Sequence, residues 1–243
     1  MTTADPSEFS DPTEPGPGVG PTIAVLDYGI GNLRSAEKAL EHVGARAFLT
    51  ADAEQIAAAD AVVLPGVGAF GRCREALADS GLDDLALDAV ASGRPFLGIC
   101  IGMQLLYDSS EEAPGVAGLG VLPGVVRRLE PGVKHPQMQW NQVELVTECP
   151  LFVGLGEHPW MYFVHSFAAE PTQNVVATCA YGGAVTAAAQ RENVFATQFH
   201  PEKSGTAGLA VLANFVQHVA AGTGSAAGSA VFDTAPAGFP GAP

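Results

Sequence analysis

Gly98-Ile99-Cys100-Ile101-Gly102 sets a thiol at the centre of a G-x-Cys-x-G turn, after the apolar run Pro95–Ile99 and before the helix-forming run Ile101–Tyr107. A strand that turns sharply into a helix exposes the middle side chain, and flanking glycines remove Cβ atoms that would collide there. A helix start favours an anionic side chain and leaves an N–H, that of Ile101, free for an oxyanion. The same spacing also describes a small buried cysteine in a tight βα turn. Nucleophilic chemistry therefore requires a proton acceptor elsewhere in the chain. His200-Pro201-Glu202, directly after the apolar run Val194–Phe199, offers one. Proline in the middle predicts extended backbone, in which residues i and i+2 point the same way. Glu202 then orients the His200 ring and stabilises imidazolium, while His200 takes the thiol proton and later returns it to a leaving amine.

Other candidates are weaker. Cys73, Cys149 and Cys179 lack the elbow context and read as inert thiols. His42, His135, His158 and His218 have no comparable acidic neighbour, whereas His165 falls on a strand that can line the same site. Pro65-Gly66-Val67-Gly68 ends a strand expected beside the elbow strand. It reads either as an ordinary βα turn or as the source of a second oxyanion N–H. Tyr28-Gly29-Ile30-Gly31 imitates half a dinucleotide fingerprint, with Asp52 at a suitable distance. Position 34 is arginine, so the third glycine is missing and that reading is set aside.

The elements that must carry these residues alternate. Strands are predicted over Thr22–Asp27, Ala45–Thr50, Ala61–Leu64 and Pro95–Ile99, with a helix from Asn32 to Val43 stopped at Gly44 and one or two helices between Ala69 and Ala91. Asp52 is positioned to cap a further short helix. Such alternation implies a right-handed parallel sheet covered on both faces, with its sites at the carboxyl ends of the strands. After Pro123 the pattern changes to short alternating segments: Val125–Leu129, Gln142–Val146, Met161–Ala168, Val175–Tyr181, Ala184–Arg191 and Val194–Phe199. Gly182-Gly183 and Glu192-Asn193 suit hairpin turns. The expected fold class is α/β, a mostly parallel central sheet flanked by helices with added antiparallel strands, closed by an amphipathic helix over Gly205–Ala221.

Composition bounds the rest. With 243 residues, 47% of them apolar, one sizeable core is affordable. Residues 1–21 and 222–243 are rich in Pro, Gly, Ser and Ala and are expected to be disordered, leaving one domain over 22–221. A net charge of −15 with no Lys/Arg stripe excludes a nucleic-acid partner. Four scattered cysteines without a CxxC pair exclude a disulfide framework and a zinc site, so no metal is expected. No run reaches 18 apolar residues and no basic-plus-apolar leader precedes the domain, so no membrane association and a reducing cytoplasm are expected.

The cysteine elbow and H-P-E resemble the class I (triad) glutamine amidotransferases, whose architecture is flavodoxin-like. Within that group, further stretches are similar to the glutaminase subunits of imidazole glycerol phosphate synthases. These are Asp27–Ser35 (DYGIGNLRS), Leu64–Phe70 (LPGVGAF), Gly98–Leu106 (GICIGMQLL), Trp140-Asn141, Tyr162–Ser166 (YFVHS) and Gln198–Ser204 (QFHPEKS). The match spans about residues 22–221. The resemblance implies cleavage of glutamine to glutamate and ammonia through a thioester on Cys100, with no cofactor. The ammonia would pass to a (β/α)8 cyclase subunit in a heterodimer, giving imidazole glycerol phosphate and aminoimidazole carboxamide ribotide for histidine biosynthesis. It implies glutamine contacts at Gly66, Gln104, Glu112, His165 and Ser166. The oxyanion hole would draw on Val67, Gly68 and Ile101, with the Val67 peptide able to face away until the partner is loaded. Asn32, Trp140, Tyr162 and Lys203 would lie at or near the partner interface. Gln139 stands where glycine is expected before Trp140, and Phe167 where tyrosine is frequent. Alternatives are another triad glutaminase, of the pyridoxal phosphate or anthranilate branch, and a non-catalytic scaffold of the same fold.

Overall fold

The structure, a computed structural model, describes residues 20–226. The extensions expected to be disordered lie outside the described residues, except Gly20, Pro21 and the stretch 222–226. That stretch continues the last helix, as nothing in Gly-Thr-Gly-Ser-Ala blocks helical backbone the way proline would.

Five strands form the parallel half of the sheet: β1 (Thr22–Leu26), β2 (Arg46–Thr50), β3 (Ala61–Gly66), β4 (Phe96–Cys100) and a late one, Val194–Thr197. The helices between them are α1 (Leu33–His42), α2 (Ala53–Ala58), α3 (Phe70–Asp79) and α4 (Leu82–Ala91); α5 (Ile101–Leu105) follows β4 with no intervening residue. Then come β5 (Ser109–Ser110), β6 (Val125–Arg128), β7 (Gln137–Leu145), β8 (Trp160–His165), β9 (Phe167–Ala169), β10 (Val175–Ala180), β11 (Ala184–Arg191), β12 (Val194–Thr197) and α6 (Gly205–Ala226). Every residue of β3 and β4 is buried. That is what continuous apolar runs produce when helices cover both faces of a parallel sheet.

The larger sheet runs β2-β1-β3-β4-β12-β11-β10-β7-β8. It is parallel from β2 to β12 and antiparallel from there on. Two rungs place the chemistry. Gly66 pairs with Cys100, and Thr197 pairs with Ile99. The carboxyl ends of β3, β4 and β12 therefore stop at one level, with Cys100 at the middle end and His200 just beyond β12.

Several local expectations change. Asn32 sits at the N-cap of α1 but makes no side-chain cap, whereas Asp52 does cap α2, accepting from the Gln55 N–H at 2.9 Å. The stretch Met161–Ala168 is not one strand. It breaks at Ser166, so β8 joins the larger sheet and β9 joins a smaller sheet of order β5-β6-β9. β7 starts at Gln137 and carries Gln139 in regular register opposite Phe163, exposed, so the glycine expected there is not needed for the backbone path. Among the described residues, no helix is long and apolar enough to cross a membrane.

Candidate active site

Cys100 ends β4 with φ 55 and ψ −108, a left-handed conformation that costs a residue with a Cβ about 1–3 kcal/mol. The surroundings enforce it. Gly102 lies so close to β3 that an added Cβ would sit 1.7 Å from the Leu64 carbonyl oxygen. A Cβ on Gly98 would meet the Gly102 carbonyl oxygen at 2.8 Å. The glycines of the motif thus allow α5 to pack directly on β3 and β4, and the chain must turn at Cys100.

His200 and Glu202 meet, but not by extended backbone. Pro201–Lys203 form a single 3-10 turn with proline at its start. A proline is tolerated there because its missing N–H would have had no helical partner. The turn brings Glu202 Oε1 to 2.8 Å from His200 Nδ1, with side chains only 2% and 4% exposed. Ser204 fastens the turn, donating to the His200 carbonyl at 2.6 Å and accepting from the Tyr162 N–H at 2.9 Å. With Nδ1–H donating to the carboxylate, Nε2 is the nitrogen left for the thiol. It has no aligned hydrogen bond in this resting arrangement. The Cys100 sulfur is nevertheless near enough to act on it. Burial alone would lower the His200 pKa, but Cys100 and Glu202 together outweigh burial and raise it to about 9. The imidazolium is the resting form at neutral pH.

These groups open onto a cleft of about 450 Å³. Its wall includes Cys100, His200, Val67, Gly68 and Ile101, and also Gln104, Glu112, His165 and Ser166. Asn32 and Lys203 border it too, whereas Gly66, Glu202, Trp140 and Tyr162 do not line it. Gly66 is instead packed under Tyr28 and α5, and Glu202 stands behind the His200 ring. Trp140 and Tyr162 stack edge-on with ring centroids 6.0 Å apart, and Trp140 is 47% exposed.

Several polar wall groups have a defined hydrogen-bonding state. His165 Nδ1 lies 2.9 Å from the Phe167 carbonyl oxygen, so it carries the proton and Nε2 is a lone acceptor. Burial first, and the charge of His200 further, bring its pKa down to about 4 against the Phe167 hydrogen bond. His165 is therefore neutral beside a charged His200. Gln104 spends both amide hydrogens, on the Phe167 carbonyl at 2.9 Å and Gln198 Oε1 at 3.0 Å, and its own Oε1 is buried without a partner. Glu112 accepts the Phe70 N–H at 2.8 Å, which fixes its carboxylate at the start of α3. The Val67 carbonyl is engaged by the Cys73 thiol at 3.3 Å, beneath α3. In a trans peptide the N–H points opposite to the carbonyl, so the Gly68 N–H faces away from Cys73.

Two residues were not found from sequence. Cys73 was read as inert; burial raises its pKa, as it does for Cys149 and Cys179, both pushed up to about 11. Its contact with Val67 had no sequence signal. Gln198 donates toward the Cys100 sulfur at 3.8 Å.

Comparison with known proteins agrees with this geometry. The family description "Glutamine amidotransferase class-I" matches residues 24–219. The chain belongs to the class-I glutamine amidotransferases. Among its relatives is the imidazole glycerol phosphate synthase subunit HisH of Methanothermobacter thermautotrophicus, 51% identical over 82% of this chain and 100% of the relative. The subunit of the same name from Synechococcus elongatus is 52% identical over 83% of this chain and 95% of the relative. That from Bacillus cereus is 45% identical over 79% and 93%. Among solved structures, PurLQS from Thermotoga maritima superposes with a TM-score of 0.67 at 21% identity, over 82% of this chain and 99% of that one. A crystal structure of a glutamine amidotransferase superposes with a TM-score of 0.66 at 22% identity, over 82% of this chain and 98% of that one, a likeness of fold.

Proposed function

We propose that this amidotransferase chain is the glutaminase subunit of an imidazole glycerol phosphate synthase. Its reaction would be hydrolysis of glutamine to glutamate, with the ammonia handed to a (β/α)8 cyclase subunit. The observation that carries the reading is the sulfur of a strained elbow beside an imidazole whose pKa is raised by that sulfur and by a buried carboxylate. Relatives near 50% identity over almost their whole length support the assignment to this synthase rather than to another triad glutaminase.

The chemistry follows from the groups in place. Cys100 sulfur attacks the glutamine carboxamide carbon, and the carbonyl electrons move onto oxygen. N–H groups of Ile101 and of the Val67–Gly68 loop receive that charge. His200 gives its Nε2 proton to the leaving nitrogen, the C–N bond breaks, and ammonia departs from a thioester. His200, now neutral, takes a proton from water, and the hydroxide releases glutamate. Gln104 Oε1 and His165 Nε2, both acceptors without partners, suit N–H donors of the substrate, and Glu112 suits its α-ammonium. No step calls for a metal or cofactor. Cytoplasmic residence fits four free cysteines.

The assay is glutamate release by the chain mixed with the cyclase subunit, with and without the cyclase's ribonucleotide. Release that rises on adding cyclase and ribonucleotide is expected; none under either condition sinks the reading. The rate has a predicted alkaline limb. His200 must carry a proton for ammonia to leave, so turnover should fall as pH rises through about 9. The sign for stability is the same. A histidine pKa raised above its unfolded value stabilises fully below about 6.5, and that contribution is lost through about 9. Turnover still rising at pH 10 would contradict it.

The surface that suits the partner is the outer face of β7 and β8, where Met138, Trp140 and Trp160 are exposed. Alternation aligns Trp140 with Tyr162 across the ladder, next to the Lys203 side of the cleft. Trp140→Ala should weaken association with the cyclase about 30-fold or more, as loss of a central aromatic anchor does. Calorimetric titration of the two subunits measures this, and an unchanged Kd would move the interface elsewhere.

A further inference from the structure

Behind the sulfur lies a polar side chain that the mechanism above does not use. Gln198 is fully buried, its backbone N–H bonded to the Ala187 carbonyl at 2.9 Å. A carboxamide in such a place costs free energy unless its polar atoms are paired, so a leucine or methionine would be the cheaper occupant. Its orientation is determined by its neighbour. Gln104 commits one amide hydrogen to the Phe167 carbonyl and the other to Gln198 Oε1. Gln198 must therefore turn its oxygen to Gln104 and its NH2 toward Cys100, where Nε2 stands 3.8 Å from Sγ. Gln198 does not line the cleft, so it meets the sulfur rather than a bound ligand.

We propose that Gln198 is a further functional residue of this site, donating an N–H to the Cys100 sulfur and holding it aimed into the cleft. The inference rests on the glutaminase reading, in which that sulfur is the nucleophile. An N–H donor binds an anionic acceptor more strongly than a neutral one. The contact is therefore stronger once the thiol has given up its proton, so it favours the nucleophilic form, and it weakens when the sulfur carries an acyl group. Gln198 thus acts on thioester formation, beside the imidazolium of His200. Through Gln104 it also ties the sulfur to the wall group that faces the substrate.

Two variants of the full-length chain separate this role from structural packing. Gln198→Met removes donor and acceptor alike. Gln198→Glu keeps the shape and the acceptor for Gln104 but loses the amide donor to the sulfur. The labelling probe is iodoacetamide, a small neutral electrophile, with alkylation of the Cys100 peptide followed by mass spectrometry. Turnover of glutamine is measured with the cyclase subunit present, and folding by thermal melting.

Both variants should alkylate Cys100 about tenfold more slowly than the parent at neutral pH. The kcat for glutamate release should fall by a similar factor, with KM within about twofold. Alkylation within twofold of the parent in the variants overturns the proposal. So does a raised KM with kcat kept, which would put the role of Gln198 on substrate through Gln104. Should Gln198→Met fail to fold, Gln198→Glu alone decides. If Cys100 of the parent is not the preferred site of labelling, the nucleophile assignment fails instead, independently of Gln198.

Discussion

Cys100→Ala should release no glutamate above the background of the assay, a loss of about 10⁴–10⁶-fold, while glutamine binding and cyclase association persist. The size follows from how the groups work together. His200 and Glu202 move a proton only in concert with a sulfur that accepts the acyl group, so removing the nucleophile removes the contribution of all three. What remains is whatever the oxyanion donors achieve with water. The fold should survive, because alanine keeps the Cβ that the φ of 55 already accommodates and vacates little space in a buried position. The His200 titration should change too. Without the sulfur, one of the influences that hold its pKa near 9 is gone, and the ring should lose its proton at lower pH. An NMR titration of the imidazole reads that shift. Glutamate release equal to the parent's would end the enzymatic account.

Gly102→Ala is the second large effect, on stability. Its Cβ would lie 1.7 Å from the Leu64 oxygen and 2.8 Å from the Leu64 carbon. Both atoms are backbone in the middle of a buried parallel strand, so no side chain can swing aside. Strand β3 and helix α5 would have to part by more than an ångström, against the Gly66–Cys100 rung. A cost of about 3–5 kcal/mol is expected, the range of severe core disruptions. For a domain of this size that lowers Tm by roughly 6–20 °C. Gly183→Ala is the control, having open space around the new Cβ and no left-handed backbone. It should leave Tm almost unchanged. Thermal melts of the pair test the claim, and equal Tm values would show that the elbow packing is looser than the structure has it.

How far the sequence carries differs between the halves of the chain. The parallel half was legible because β1, β3 and β4 are uninterrupted apolar runs ending in glycine turns, a pattern few other folds produce. The break at Ser166 was not. Alternation continues through Tyr162–Ala168, and only tertiary context tells β8 to stay in one sheet and β9 to enter another. β5 and β9, of two and three residues, are too short to carry any period. At the site, the partnership of His200 and Glu202 was readable from residue types alone. The backbone that achieves it was not, since proline is as compatible with the first residue of a 3-10 turn as with extended chain. Gln198 was missed for a related reason. A glutamine in an alternating segment suggests a wet face, and only packing reveals that this one is dry.

Cys100 and His200, the proposed catalytic pair, are encoded far apart, yet one ends β4 and the other lies just beyond β12, and those strands are immediate neighbours joined rung by rung from Phe96–Val194 to Ile99–Thr197. Separating them would mean unzipping the centre of the molecule. Amide protons along that ladder should therefore exchange with deuterium only through global unfolding, the slowest class in the protein. Control over turnover is then expected at the loop around Val67 and the rim of the cleft, since the backbone that carries sulfur and ring is held by this ladder.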